Sequence, residues 1–358
     1  AHFNVGTALK RAHDFAGALA AFRNAVDRAP HDGRLRFALA TLLIETEAFA
    51  LAVEHLDWLI EREIDLPAAL HACAYANKKL GRGAASVVAA ERLVLCTEGS
   101  HGAALALSAA HIGAQQFGPA LTIIERELER QPDSRQLWSD QAIALSALGR
   151  KGDARQLFDT ENLLQVIDIT PPAEFDDIHR FNEALQAHVE RHPSLDFSGI
   201  SMSCHEGATS SELFVAPLGP VGHLMEAIRG AAEQYMDNIR EASEHPWSSG
   251  CPGVGDLELS GWATQLRSLG YQHGHIHPTA WLSGVYYVAL PPEVGADSQA
   301  GWIEFGRAPY FYGEGDQGCI HPVQPVPGRL VLFPSYFYHR TIPFESAHER
   351  LTIAFDFR

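Results

Sequence analysis

Residues 349–357 read ERLTIAFDF, a stretch in which the residue types alternate strictly. One set of positions is apolar and the other is polar or small: Leu351, Ile353, Phe355 and Phe357 against Arg350, Thr352, Ala354 and Asp356. Successive side chains of a β-strand point to opposite faces, so the stretch predicts a strand with one apolar core face. The other face carries a charge at each end and a hydroxyl between them, which is unusual for a barrel interior unless an anion binds there.

Short β-rich segments precede this strand along the second half of the chain. They lie at 257–267, 281–290, 301–305 and 329–334, separated by turns rich in Gly and Pro and by no long helix. Many short strands in this arrangement favour an antiparallel sandwich or barrel. Two amphipathic segments, at about 177–191 and 220–241, are predicted to be helices before the strands begin.

A period of 34 residues runs through the first half of the chain. Aromatic residues lie on it at Phe15, Phe49 and Phe117, and Gly83 and Lys151 hold the two weaker positions. Small side chains follow three residues later and mostly larger apolar ones four beyond those: Ala18, Ala52, Ser86, Ala120 and Ala154, then Phe22, Leu56, Ala90, Ile124 and Phe158. Small residues let paired helices approach closely, while larger ones fill the groove against the next pair. A helix–turn–helix period of this length resembles the tetratricopeptide repeat.

These patterns predict an α + β chain with two structural parts. We expect tetratricopeptide-like helical repeats over residues 1–165 and a β-rich core over 257–358. Residues 166–256 are predicted to form a linker, marked by Thr170-Pro171-Pro172, and the helical beginning of the second part.

The composition limits the classes of partner and the cell compartment. The 358 residues include 44 Asp and Glu against 27 Lys and Arg, a formal net charge of −17. Nucleic acid is an unfavourable partner for such a chain, because phosphate binding needs clustered positive charge. No apolar run is long enough for a membrane helix. Five scattered cysteines without a CxxC pair predict thiols in a reducing compartment, so we expect a cytoplasmic protein. The sequence makes no prediction of the oligomeric state.

The densest cluster of potential metal ligands is GYQHGHIHP at residues 270–278. Residues two apart on a strand lie on one face, roughly 6.5–7 Å apart, so His275 and His277 can reach one ion, and His273 could join them. A further ligand is expected from a distant strand, and His339 is the obvious donor. Imidazole-rich sites with open positions serve non-haem Fe(II) or catalytic zinc.

Arg350 and Thr352 favour iron over zinc. A guanidinium fork beside a hydroxyl on one strand face is suited to clamping a carboxylate. An iron site with a carboxylate clamp on a neighbouring strand is the layout of a 2-oxoglutarate oxygenase.

Residues 258–358 resemble the Fe(II)/2-oxoglutarate-dependent oxygenases, which have a double-stranded β-helix (jelly-roll) fold. The resemblance rests on six motifs in this order: HIHP at 275–278, LSGVYYV at 282–288, GWIEFG at 301–306, LFPS at 332–335, HR at 339–340 and ERLT at 349–352. Together, in order and spacing, they are specific. The arrangement is also similar to that of the aspartyl/asparaginyl β-hydroxylases.

The resemblance implies Fe(II) and 2-oxoglutarate as cofactors, with O₂ as co-substrate. It implies that Arg350, helped by Thr352, holds the distal carboxylate of 2-oxoglutarate. Thr264, and either Tyr286 or Tyr287, would supply further contacts. Since the two tyrosine side chains alternate in direction, only one of them can face the cofactor.

One position departs from the common HxD…H iron motif of the family, because the residue two after His275 is His277 rather than aspartate. We favour His275, His277 and His339 as the ligands. Two alternatives stay open: His275 and His339 bind the metal with water alone, or His273 and His275 form the pair. The absent carboxylate leaves such a site one negative charge short, and Glu304 is a distant candidate for that acid.

We therefore expect a dioxygenase that hydroxylates a peptide or protein side chain, with the repeats contributing to recognition. Two other hypotheses stay open. A three-histidine zinc or cupin-like hydrolase would use a metal-bound water as nucleophile. A non-catalytic scaffold would use the repeats for binding and keep the barrel as a degenerate sensor.

Overall fold

The computed structural model describes residues 2–12, 14–195, 204–242, 245–295, 298–312 and 320–358. The chain divides into two compact units. Within the described residues, the first unit comprises 2–150 and the later segment 309–312. The second comprises 151–195, 204–308 and 320–358.

Antiparallel helix pairs build the first unit. Its helices are α1 (His2–Arg11), α2 (Phe15–Arg28), α3 (Gly33–Glu45), α4 (Phe49–Ile60), α5 (Leu66–Lys79), α6 (Gly83–Cys96), α7 (His101–Gly113), α8 (Phe117–Arg130) and α9 (Arg135–Ala147). Each helix packs against the next along the chain. The predicted tetratricopeptide-like solenoid is confirmed.

The 34-residue period has a direct structural cause. Phe15, Phe49, Gly83 and Phe117 are the first residues of the second helix in successive pairs. The small residues three positions later are almost completely buried, as the close approach of two helices requires: Ala18, Ala52, Ser86 and Ala120. The apolar residues after them are buried as well: Phe22, Leu56, Ala90 and Ile124. The periodic positions therefore form the core of the stack.

A short segment from late in the chain also belongs to the first unit. Tyr312 ends a 3₁₀ turn over Tyr310–Tyr312, and its ring is buried against the repeat helices. The Tyr312 hydroxyl donates to Asp140 Oδ1 at 3.4 Å, and the side-chain amide of Gln115 donates to the Tyr312 carbonyl oxygen. Lys78 Nζ lies 5.2 Å from the centre of the Tyr312 ring. The repeat unit thus binds a tyrosine of the same chain through ring, hydroxyl and backbone.

The second unit begins with helices and continues into strands. Its helices are α10 (Lys151–Leu157), α11 (Thr160–Leu163), α12 (Ile178–Glu190) and α13 (Pro220–Ala242), followed by 3₁₀ turns at Pro246–Gly250 and Val254–Asp256. Its strands are β1 (Gln165–Asp168), β2 (Cys204–Thr209), β3 (Leu259–Gln272), β4 (Leu282–Ala289), β5 (Ile303–Phe305), β6 (His321–Val323), β7 (Arg329–Pro334), β8 (His339–Thr341) and β9 (Arg350–Phe357). Each predicted β segment overlaps an observed strand, although β3 extends five residues beyond the predicted segment 257–267, and β1, β2, β6 and β8 lie outside the predicted segments.

The strands form two antiparallel sheets. The larger has the order β1-β7-β4-β9-β3-β2 and the smaller the order β6-β5-β8. The predicted antiparallel jelly-roll architecture is confirmed. The final strand, β9, lies between β3 and β4, and both of its faces are buried. Its apolar face packs in the core, and the polar face with Arg350, Thr352 and Asp356 lines a cavity.

The cysteines and helices bear on the expectations from composition. Cys73 and Cys204 are buried thiols, Cys251 is half-buried and Cys96 is exposed, while Cys319 lies outside the described residues. Among the described helices, none has the length and apolar character needed to cross a membrane.

Candidate metal and carboxylate site

Three histidines meet at one end of the cavity. One ligand atom from each of His275, His277 and His339 lies within 4.8 Å of those of the other two. The ring centres are 4.3 Å apart for His275 and His339, and 5.2 Å for each of the other two pairs. Within the described residues this is the group of His, Cys, Asp or Glu side chains spaced to hold a metal ion.

Backbone hydrogen bonds hold these histidines, although not on the strand that the sequence predicted. Strand β3 ends at Gln272, so His275 and His277 lie in the segment after it. The N–H of His275 donates to the His339 carbonyl and the N–H of His339 donates back, both at 3.1 Å. The N–H of His277 donates to the Ser335 carbonyl at 2.9 Å. This isolated bridge brings two chain segments 64 residues apart to one point.

Each imidazole uses Nδ1 in a hydrogen bond with an oxygen acceptor. His275 Nδ1 lies 2.7 Å from the His273 carbonyl oxygen, and His339 Nδ1 lies 2.9 Å from the Phe337 carbonyl oxygen. His277 Nδ1 lies 2.6 Å from Asp356 Oδ1. Carbonyl and carboxylate oxygens only accept, so all three Nδ1 atoms carry a proton, and Nε2 is the nitrogen that each ring has left to bind a metal.

Burial keeps two of these rings uncharged. Desolvation, reinforced by the neighbouring His277, lowers the pKa of His275 to about 4. Desolvation, with His275 and His277 adjacent, holds the pKa of His339 well below its ordinary value. A neutral imidazole is the form that binds a metal. The site is thus preset for a cation at neutral pH.

Asp356 is the acidic side chain that is hydrogen-bonded to one of the three histidines, His277. Its Oδ1 accepts from His277 and, at 2.7 Å, from Ser283 Oγ, while Arg358 Nη2 lies 3.3 Å from Oδ2. Burial raises the pKa of Asp356, but the hydrogen bonds from His277 and Ser283 outweigh burial and the pKa ends below its ordinary value. The carboxylate is ionised at neutral pH although it is almost fully buried.

Two of the sequence-based candidates for this region have other partners. Glu304 accepts hydrogen bonds from Arg307 and from Arg340 Nε, the latter at 2.7 Å, so it is not the acid beside the histidines. His273 contributes its carbonyl oxygen to His275, and its ring packs edge-on against Tyr271 with the centres 4.9 Å apart. The ring of His273 is not part of the three-histidine group.

A set of buried donors lies around Arg350. Its side chain is about 2% exposed, and Nε donates to the Gly301 carbonyl oxygen at 3.2 Å. Arg350 Nη1, the Tyr287 hydroxyl and the Thr264 hydroxyl have no hydrogen-bond partner among the described residues. The guanidinium carbon lies 5.2 Å from the centre of the Tyr287 ring. A buried polar group without a partner is costly, so three together indicate a place for an anionic ligand.

The register of three strands brings these donors together. Thr264 on β3 and Tyr287 on β4 are both opposite Thr352 on β9, two residues beyond Arg350. Burial raises the pKa of Tyr287 to about 12, so its hydroxyl stays a donor. A carboxylate is the ligand that a guanidinium and two hydroxyl donors would hold.

Tyr286 points away from this group, which decides between the two tyrosines of the LSGVYYV strand. Its hydroxyl donates to Asn182 Oδ1 on α12 at 2.6 Å, and its ring packs against Phe181. The Tyr286 hydroxyl is thus engaged with Asn182, and Tyr287 is the tyrosine whose ring lies beside the Arg350 guanidinium. Thr352 faces the cavity, but its hydroxyl already donates to the Thr264 carbonyl oxygen at 3.3 Å.

The three histidines and Arg350 line one cavity of about 370 Å³. A cavity of this size is typical of a small-ligand site. Apolar side chains complete the wall near the metal ligands: Val285, Ile303 and Phe333. Phe333 also packs on the His339 ring, with the centres 4.7 Å apart, and Trp262 stacks on His277 at 5.6 Å.

Comparisons with known proteins agree with this geometry. Residues 260–356 match the family model described as "Putative 2OG-Fe(II) oxygenase". Apart from residues 309–312, the described part of this match lies within the second unit. The orphaned donors around Arg350 and the three closely spaced imidazoles fit the two groups that this family's description names. Residues 5–66 match a tetratricopeptide repeat model.

The solved structures that match the chain include a prolyl-4-hydroxylase and a MamA protein. A Pseudomonas putida prolyl-4-hydroxylase is 16% identical and covers 56% of this chain and 95% of its own, with a TM-score of 0.38. The MamA protein is 17% identical and covers 44% of this chain and 86% of its own, with a TM-score of 0.40. No curated protein matches the chain.

Proposed function

We propose that this protein is an Fe(II)- and 2-oxoglutarate-dependent dioxygenase that hydroxylates a side chain of a peptide or protein. The single observation that carries the proposal is that the three-histidine group and the buried Arg350 line the same cavity. A metal ligand set and a carboxylate clamp in one enclosure match the two parts of a chelating keto acid. A hydrolase site needs the metal and leaves the clamp without a purpose.

In this proposal His275, His277 and His339 hold the Fe(II) through their Nε2 atoms. His275 and His339 are neutral at physiological pH because burial lowers the pKa of both rings, so neither has to lose a proton before the metal binds. The fixed Nδ1 partners also limit ring rotation, which keeps the three lone pairs directed at one point.

Arg350, Tyr287 and Thr264 hold the distal carboxylate of 2-oxoglutarate. Each offers a buried donor that lacks a partner within the described residues, and the carboxylate would satisfy all three. Thr352 forms part of the wall and fixes the Thr264 backbone. Arginine suits this place because its charge persists in a buried site where a lysine would lose its proton readily.

Bound Fe(II) and 2-oxoglutarate would supply the oxidising chemistry. One oxygen atom of O₂ would enter succinate as 2-oxoglutarate loses CO₂, and the other would convert a substrate C–H group to C–OH. The side chains of this domain contribute position and environment. Phe333, Ile303 and Val285 keep the wall beside the metal ligands apolar and so limit access of water. Trp262, stacked on His277, restricts the rotation of that ring.

The repeats support the choice of a protein or peptide substrate. Stacks of helix pairs form extended surfaces that commonly hold polypeptide segments. The binding of Tyr312 by Gln115 and Asp140 is an example of that chemistry within this chain. We propose a peptide or protein partner in the cytoplasm, and neither nucleic acid nor a membrane.

The test is anaerobic titration of the purified protein with Fe(II) and 2-oxoglutarate, followed by the visible metal-to-ligand charge-transfer absorption of the chelate. The band should form in the wild type and be lost in His339→Ala. His179→Ala is the matched control, because that histidine lies on the surface of α12 with a side chain 78% exposed. It should leave the band unchanged.

The outcomes separate the three hypotheses for this chain. A band that depends on His339, together with succinate formation in air, supports the dioxygenase. Tightly bound zinc with no band and no succinate would replace the proposal with the hydrolase. Absence of any metal affinity would favour the hypothesis of a non-catalytic scaffold.

A further inference from the structure

We propose that Asp356 is a positioning residue for His277 and supplies, through that imidazole, the negative charge that a directly bound carboxylate would give the metal. The inference rests on the proposed metal site. The structural basis is the 2.6 Å hydrogen bond between His277 Nδ1 and Asp356 Oδ1.

The three imidazoles differ in the acceptor of their Nδ1 hydrogen bond. His275 and His339 donate to backbone carbonyl oxygens, which are neutral, whereas His277 donates to an ionised carboxylate. A hydrogen bond to a charged acceptor is shorter and roughly twice as strong as a neutral one. It also increases the electron density that the opposite nitrogen presents to a metal. His277 is therefore the strongest donor of the set, and it stands at the position where a carboxylate is expected.

The surroundings of Asp356 hold it in this role. The carboxylate is about 2% exposed and lies opposite Ser283 in the β4–β9 register. Ser283 Oγ donates to the same oxygen that accepts from His277, at 2.7 Å. Arg358, the terminal cation on the other oxygen, is about half exposed and 3.3 Å away, so it competes weakly for the charge. Of the two basic side chains at Asp356, His277 makes the shorter and more buried contact.

Strand β9 thereby serves both parts of the site from one face. Arg350 begins the strand at the carboxylate clamp, and Asp356 near its end supports the metal ligand. The two side chains are six residues apart, an even number, which places them on the same face. One face of β9 therefore carries both Arg350, which would bind the cofactor carboxylate, and Asp356, which is hydrogen-bonded to His277.

The experiment measures Co(II) affinity anaerobically, with no turnover, from the visible absorption of Co(II) bound to the protein. Asp356→Asn keeps the size and the acceptor oxygen but removes the charge. We expect Co(II) binding to weaken by about 10- to 100-fold, the usual cost of losing a hydrogen-bond partner of a metal-bound histidine. Asp237→Asn, an exposed carboxylate on α13, is the matched control and should leave the affinity unchanged.

A mutant cycle separates positioning from general stability. If Asp356 acts through His277, then Asp356→Asn has little effect in a His277→Ala background. A loss of the same size in both backgrounds would overturn the inference, and so would wild-type affinity in Asp356→Asn. Should Asp356→Asn fail to fold, Ser283→Ala removes one hydrogen bond from the same oxygen and should weaken Co(II) binding roughly two- to tenfold; wild-type affinity in that variant would then overturn the inference.

The result also distinguishes this inference from the proposed function. A wild-type protein that binds neither Co(II) nor Fe(II) overturns both. A wild-type protein that binds metal with an affinity independent of Asp356 overturns only the positioning role and leaves the oxygenase proposal intact.

Discussion

Thr264 and Thr352 face each other across strands β3 and β9, and the Thr352 hydroxyl donates to the Thr264 carbonyl oxygen at 3.3 Å. The hydroxyl of Thr264 itself is fully buried and has no partner within the described part of the chain. Of two threonines at one level of the sheet, one is thus occupied by the backbone and the other is left for a ligand. In the proposed site the Thr352 hydroxyl is structural and the Thr264 hydroxyl would contact 2-oxoglutarate.

Thr264→Val should weaken 2-oxoglutarate binding about tenfold or more, because it removes a hydrogen bond to a charged group. Thr352→Val should change the affinity by no more than about threefold, since its hydroxyl is already engaged with the backbone. Anaerobic calorimetric titration of 2-oxoglutarate into metal-loaded protein measures both. Equal losses in the two variants would contradict the assignment.

Tyr287→Phe and Tyr286→Phe should give opposite results. The Tyr287 hydroxyl is buried without a partner, so its removal should cost no stability and should weaken 2-oxoglutarate binding. Removal of the Tyr286 hydroxyl leaves the buried Asn182 oxygen without its donor and should cost about 1–3 kcal/mol of unfolding free energy. The affinity should then be unchanged. Urea unfolding and calorimetric titration on both variants test the crossed pattern.

Arg350→Ala should abolish 2-oxoglutarate binding and leave metal binding intact. Arg350 contacts the Gly301 carbonyl oxygen and the Tyr287 ring, and none of its described contacts is with a metal-site histidine. Arg350→Lys should restore little, because a lysine lacks the planar fork that matches a carboxylate. Co(II) absorption and 2-oxoglutarate titration are measured on the same preparation.

The control for this prediction is Arg267→Ala, which removes a half-exposed arginine of β3 paired with Glu349. It should bind both ligands as the wild type does. If Arg350→Ala keeps its 2-oxoglutarate affinity, the clamp lies elsewhere and the alignment of the whole site with the motifs is wrong.

The repeats could be predicted from the sequence because their determinants are local. Phe15 and Ala18 recur at one period in helices that pack on their immediate neighbours, so the pattern of residue types and the pattern of burial coincide. The alternation over 350–357 likewise predicted β9. One face of this strand packs in the apolar core and the other lines a polar cavity, so apolar and polar or small residues alternate along it. In both cases the information lies within a few residues.

The finer points of the site depended on contacts distant in sequence. The choice between Tyr286 and Tyr287 required Asn182, which lies 104 residues before Tyr286 and on a helix. The acid behind His277 is Asp356, 79 residues away, although its place on the polar face of β9 beside Thr352 was a signal that could have identified it. Glu304 was a candidate for the missing acid because it lies on a neighbouring strand, but it forms ion pairs with Arg307 and Arg340.

Acid should destabilise the metal-free protein through His275. Its folded-state pKa is about 4, against about 6.5 for an unfolded histidine, because burial disfavours the charged ring. Between these values the unfolded state binds more protons than the folded state, so the stability rises with pH across this window. The contribution of the neutral ring is complete above about pH 6.5, declines as the pH falls, and stops changing below about pH 4. The difference between the two pKa values corresponds to about 3 kcal/mol.

The measurement is urea unfolding of chelator-treated protein at pH values from about 7 down to about 4. Other groups also titrate in this range, so the informative quantity is the difference between the wild type and His275→Gln. That variant cannot bind the proton, and its free energy of unfolding should fall less steeply with acid, by up to the amount above. His179→Gln, at a side chain that is 78% exposed on α12, is the matched control for replacing a histidine by glutamine. Parallel curves for the wild type and His275→Gln would mean that the ring is accessible to water, and the preset neutral ligand set would then be wrong.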